Sequence, residues 1–270
     1  MLSLFLEIMR SPKGCPNKVH IQILQTLGIL CQSVRNETSL YYLLSNNYIN
    51  ECLSFNFDFA DDELLDQFVS FLKSLSLRLN IQTIQFFFIE EFLTIPLLTR
   101  AIDLLRFREA MVRVAAQTTI LNVFRVKDKR AREISLQDDI LHHLFSQISI
   151  ILEVHYSSAL LCCLEHTAYA NHPSMQDKGE NKVGRRLEEQ LSDILTGLED
   201  WLFYLQDIFS LKIRRLRKFL VRYLISNFVY TVLLDPFLRY LGETGGVARS
   251  SPRYVLLLFQ YQLSIFYIDF

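Results

Sequence analysis

The stretch FDFADDELLDQFVSFLKSLSLRLN, residues 57–80, decides the fold. Its apolar positions Leu65, Phe68, Phe71 or Leu72, Leu75 and Leu79 recur every three to four residues, the spacing that lines one face of an α-helix. A helix start is expected at Asp61 or Asp62, because a short carboxylate just ahead of the stripe accepts from N–H groups that the first turn leaves unpaired. None of the long segments shows the sustained alternation of apolar and polar side chains that marks a half-buried strand.

The same period extends in both directions. Residues 18–34 carry Ile23, Leu24, Leu27, Leu30, Cys31 and Val34 on one helical face. TSLYYLLSNNYINECLSF (38–55) places Leu40, Leu43, Leu44, Tyr48, Ile49 and Leu53 on another, with a break expected at Asn46 and Asn47. After the aromatics Phe86, Phe87 and Phe88, Pro96 suits the first turn of a helix through Leu105, where its missing N–H costs nothing. A further helix is expected over 111–126, then a charged connector KDKRAR (127–132). The long helical region 138–169 has apolar residues on more than one face and is expected to sit centrally.

Helices are also expected over 185–211 and 212–241. NHPSMQDKGENKVG (171–184) and GETGGVARSSP (242–252) are polar and Gly-containing, and read as flexible loops. The expectation is therefore an all-α chain, an armadillo/HEAT-like α-solenoid of irregular helical repeats forming one helical domain over 1–270. Solenoids close with polar-faced capping repeats. A chain that begins and ends in apolar segments is thus expected to be an excerpt lacking N- and C-terminal parts.

Composition agrees. Half of the 270 residues are apolar and 13% aromatic, with only 8 Gly and 6 Pro, which favours long uninterrupted elements. With 28 basic and 29 acidic side chains the net charge is −1, so no global field draws the molecule to nucleic acid. The five cysteines include no C-x-x-C pair, and the opening MLSLFLEIMR lacks a basic start and a small-residue cleavage site. Both point to a reducing, cytoplasmic setting. Mean hydropathy is high at +0.19. Yet 219–234 is interrupted by Arg222 and Asn227, and 255–270 by Gln260 and Gln262, short of the roughly 18 to 20 apolar residues a span requires.

Catalytic signals are absent: the chain has no G-x-G-x-x-G, no G-x-x-x-x-G-K-[ST] and no H-E-x-x-H. The nearest to a metal or nucleophile cluster is Cys162, Cys163 and His166, the residues on which a metal-dependent or cysteine-based hydrolase would have to rest. Cys162 and His166 share a helical face, but a structural zinc takes four ligands and no second pair lies at matching spacing. Small buried cysteines beside a hydrogen-bonded histidine are the expected reading, with no cofactor, metal or catalytic residue.

LKIRRLRKFLVRYL (211–224) is the most informative charged stretch. On a helix Arg214, Arg217, Lys218 and Arg222 fall in one arc, with Lys212 ahead of them. Leu216, Phe219, Leu220, Tyr223 and Leu224 fall opposite. Such a basic amphipathic helix serves as a solvated core helix, as a contact for an acidic protein, or as a surface for an anionic membrane.

Three segments carry a family resemblance. TSLYYLLSNNYIN (38–50), FDFADDELLDQFVSFLKSLSLRLN (57–80) with TIQFFF (83–88), and IPLLTRAIDLLRFREAMVRVAAQTTILNVFRV (95–126) resemble the FPL domain of the Ema family. Its animal members regulate endosome maturation and autophagy, and its plant members act in Golgi and vacuolar trafficking. The family's Phe-Pro-Leu signature falls on Ile95, Pro96 and Leu97, with isoleucine in the first place; an apolar side chain there keeps a structural role. RRLEEQLSDILTGLEDWLFYLQDIFSL (185–211) resembles a later family segment. The resemblance implies a non-enzymatic cytosolic scaffold, peripherally associated with endosomal or Golgi membranes. It would work through small GTPases, tethering factors or a ubiquitin ligase. It implies no lectin framework and no sugar binding; a nucleic-acid partner is not expected either, because the basic cluster Lys127, Lys129, Arg130 and Arg132 has Asp128 and Glu133 beside it and no aromatic side chains between.

Overall fold

The computed structural model describes residues 2–11, 14–170 and 181–234. They are all-α, and the described residues contain no sheet; one isolated antiparallel bridge joins Ile89 and Thr94. They divide into two compact units at Gln147/Ile148.

The first unit holds α1 (Leu2–Met9), α2 (Asn17–Ser33), α3 (Glu37–Leu44), α4 (Tyr48–Ser54), α5 (Asp62–Ser76), a 3-10 turn (Ile84–Phe87), α6 (Pro96–Leu104), α7 (Ala110–Arg125) and α8 (Lys129–Ser135). It also holds the start of α9 (Asp138–Ala170). At its centre α5 packs between α2 and α7, burying Leu64, Leu65, Phe68, Phe71, Leu72 and Leu75. Asp61 is its cap: one carboxylate oxygen accepts from the Glu63 and Leu64 N–H groups at 3.1 and 3.2 Å, and the other accepts from the Asn17 amide at 3.0 Å. These bonds, the Asn17 one foremost, hold the Asp61 carboxyl below its ordinary range.

The break between α3 and α4 falls on Asn46 and Asn47, both left-handed at φ 61° and 63°, a conformation asparagine tolerates better than most residues. The Asn50 amide then donates to Asn47 Oδ1 and to the Phe86 carbonyl. Two arginines finish helices by occupying their free carbonyls. Arg78 donates to the carbonyls of Cys31 and Gln32 at the end of α2, and Arg100 to those of Leu53, Ser54 and Phe55 at the end of α4.

The expected connector 127–132 is instead mostly helix. Asp128 accepts from the Ala131 N–H at 2.7 Å and starts α8, which buries Ala131 and Ile134 beneath its charged residues.

The second unit contains the rest of α9, then α10 (Asn181–Ser210), α11 (Arg214–Leu224) and a π-helical stretch (Ile225–Leu234). Helix α10 starts inside the polar stretch 171–184; residues 171–180, the loop 242–252 and the expected helix beyond 234 lie outside the described residues. α9 is two-faced rather than enclosed. Ile148, Leu152, Tyr156, Ala159 and Cys162 are buried, whereas Ile150, Val154, Leu161 and Leu164 are exposed. By length and composition alone its Asp138–Thr167 portion is long and apolar enough to cross a membrane: an 18-residue window within it has a mean hydropathy of 1.4, and 33% of that window is buried in the fold. A core helix with one packed face meets the same measure.

Candidate functional site

Helix α11 is built on a stripe at four-residue spacing: Leu216 and Leu220 are fully buried, Leu224 is 5% exposed, and Phe228 continues the line to meet the Tyr156 ring edge-on at 6.4 Å. That commits one face to the core. Phe219 and Tyr223 stack on its shoulder with ring centroids 6.2 Å apart and planes 14° from parallel. Arg214, Arg217, Lys218 and Arg222 are all exposed.

Two features depart from the sequence expectation. Lys212 is outside the helix, in the turn after α10, with a left-handed backbone at φ 56°; Ile213 is the N-cap and supplies no side-chain bond. Arg215 is also exposed. It was legible in principle: at about 100° per residue it falls about 20° beyond Arg222, at the edge of the arc that Arg214, Lys218 and Arg222 trace and off the stripe of buried leucines.

The electrostatics of the surface are one-sided. From 212 to 234 the chain has six cations and no Asp or Glu. Arg214, Arg215 and Arg217 occupy the first turn of α11, the end of a helix that favours negative charge, and no side chain caps it. The local sequence thus raises the energy of the isolated helix and suits an anion placed against it.

Ile95, Pro96 and Leu97 lie elsewhere and are all buried. Ile95 is the extended N-cap of α6, Pro96 its first residue, and Leu97 faces the core. Ile95 and Leu97 are fully enclosed and not available to a partner. A groove of the first unit, about 700 Å³, passes Phe55, Phe92 and Pro96, and its Arg100 is engaged in capping α4.

Cys162 donates to the Leu187 carbonyl at 3.3 Å, and His166 Nε2 lies 3.9 Å from Glu188. Burial pushes both the Cys162 and Cys163 thiols up, which keeps the nucleophilic thiolate scarce near neutral pH. Among the described residues no three His, Cys, Asp or Glu side chains converge to hold a metal ion.

Residues 1–124 match the family model FPL, described as an uncharacterised conserved protein. The chain is 36% identical over 227 residues to the Drosophila melanogaster protein CLEC16A homolog, covering 84% of this chain and 20% of the fly protein. It is 33% identical over 265 residues to Homo sapiens protein CLEC16A, covering 98% of this chain and 23% of the human protein. With Arabidopsis thaliana protein TRANSPARENT TESTA 9 the identity is 27% over 233 residues, 85% of this chain and 26% of the plant protein. The chain thus spans about a fifth to a quarter of the length of these relatives. No solved structure matches.

Proposed function

The chain belongs to the FPL family, carried by residues 1–124, and from that premise we propose that it is a helical scaffold segment in the regulation of membrane trafficking and autophagy, acting without a catalytic step of its own. An irregular armadillo/HEAT-like solenoid forming one domain is the architecture this reading takes. Its setting is the cytoplasmic side of endosomal or Golgi membranes. Its partners are trafficking proteins: small GTPases, tethering factors or a ubiquitin ligase.

The observation that carries the proposal is the outer face of α11. Arg214, Arg217, Lys218 and Arg222, with Lys212 in the preceding turn, form a cationic surface held rigid by the buried Leu216, Leu220 and Leu224. A fixed cationic face attracts an anionic target over about one Debye length, roughly 8 to 10 Å in physiological salt. The competing hydrolase reading has less support, because burial disfavours the thiolate at both Cys162 and Cys163.

Proximity labelling of the chain in cells tests the proposal. Enrichment of GTPases, tethers or ligase subunits of the endosomal and Golgi system supports it. A labelled set without trafficking components, from a chain that stays diffuse, contradicts it.

A further inference from the structure

We infer that the outer edge of α11 and the π-helical stretch after it is a lipid-contact surface for anionic membranes, with the cations on headgroups and Ile225 and Tyr230 in the interfacial zone. This rests on the reading of the basic face as the contact for an anionic target and names that target.

The apolar side chains of α11 and the π-helical stretch divide into two sets. Leu216, Leu220, Leu224 and Phe228 are buried, but Ile225 is 55% exposed and Tyr230 60% exposed. Ile225 follows Lys218 by seven residues and Arg222 by three, and so continues the cationic side of the helix rather than the leucine side. The change to a π-helix at Ile225 widens the turn, and the Thr231 hydroxyl donates to the Ser226 carbonyl five residues back. The segment therefore presents a cationic strip that ends in an exposed branched aliphatic and an exposed tyrosine.

That order of groups fits a bilayer surface. Basic side chains are attracted to anionic headgroups, and their aliphatic stems lie along apolar surface. Tyrosine favours the headgroup level because its ring is apolar and its hydroxyl is wet. An acidic protein would neutralise the same cations and cover the same two side chains, and is the competing outcome of the test. The absence of any carboxylate from 212 to 234 means that nothing on the strip repels anionic lipid.

The test uses the full chain and vesicles of neutral phosphatidylcholine with and without about a third phosphatidylserine. Flotation is expected only with the anionic vesicles, and Ile225→Ser with Tyr230→Ser is expected to weaken it roughly tenfold. Ile225→Leu is expected to retain it, and circular dichroism should be unchanged in every variant. A Tyr230→Trp chain should be quenched by vesicles with brominated acyl chains, whereas the buried Trp201 of the parent chain should not. Flotation with neither quenching nor sensitivity to the double substitution overturns the interfacial role and leaves the basic face as a purely electrostatic contact. No flotation, with capture of cytosolic protein lost on reversing the four basic residues, overturns the lipid surface in favour of an acidic protein. Reversal that changes neither readout removes this inference and the basic-face reading together.

Discussion

Gly197 of α10 lies directly against the imidazole of His155 in α9. A Cβ built on Gly197 would stand 2.9 Å from His155 Nε2 and 3.1 Å from Cδ2. The ring is held there, since Nδ1–H donates to the Ile151 carbonyl at 2.8 Å. Two helices of the second unit therefore approach at a point where only glycine fits without displacement. Gly197→Ala gains about 1 kcal/mol of helix propensity. It must also push the ring off its hydrogen bond, a cost of about 1 to 3 kcal/mol. The expected outcome is a net loss near 1 kcal/mol in denaturant melts. Adding His155→Ala to the same chain should recover it, and the double-mutant cycle isolates the contact.

The cap of α5 should be pH-dependent. The Asp61 carboxyl is held below its ordinary range by Asn17, Leu64 and Glu63. The folded state therefore binds its proton less readily than the unfolded chain. The contribution is present above the unfolded value near 3.9 and is lost as the pH falls through the lower folded value. Asp61→Ala should lower the melting temperature at pH 7 and flatten the acid limb below pH 4. Asp61→Asn, which keeps an accepting oxygen, should retain part of the stability but not the pH dependence.

His20 predicts a second window. It is buried beside the Phe55 and Phe57 rings, at 5.3 and 5.5 Å between centroids, and neither ring nitrogen has a hydrogen-bond partner. Burial pulls its pKa down, and the nearby Met9 carbonyl opposes the shift only in part. Protonation thus favours the unfolded chain. Stability should be full above about pH 6.5 and fall progressively as the pH drops from there toward the depressed folded value. Thermal melts from pH 7.5 to 5 check this, and His20→Phe should remove that slope.

The first unit was largely legible because its signals are local. Asp61 before a three-four stripe, the Asn46-Asn47 pair inside one, and Pro96 ahead of Leu97 each act through backbone chemistry within a few residues. KDKRAR was misread because its charge conceals the features that make α8: the Asp128 cap and the burial of Ala131 and Ile134. The candidate surface is legible in its cations, and a uniform helical wheel places Arg215 and Ile225 on that side too; what such a wheel omits is that Lys212 leaves the helix through a left-handed backbone and that the chain turns π-helical from Ile225. The two faces of α9 were not separable either, since mean apolarity does not say which stripe finds a neighbour.

The division of α11 into a packed and an exposed face yields a prediction about stability alone. Leu220 is fully buried, so Leu220→Ala should cost about 2 to 5 kcal/mol and bring down the second unit. Arg222→Ala, on the exposed side, should stay within about 0.5 kcal/mol of the parent chain. Urea denaturation of the two variants side by side separates the roles.

The central claim is that the cationic face of α11 brings this chain to its place in the cell. The most direct measurement is the membrane-bound fraction of the full chain in cells, against that of a variant carrying Arg214→Glu, Arg217→Glu, Lys218→Glu and Arg222→Glu. Helicity and melting temperature of the purified variant are checked first. The expected result is endosomal or Golgi association for the parent chain and a diffuse distribution for the folded variant. Equal membrane-bound fractions for both would contradict the claim and leave the cationic face as solvated surface.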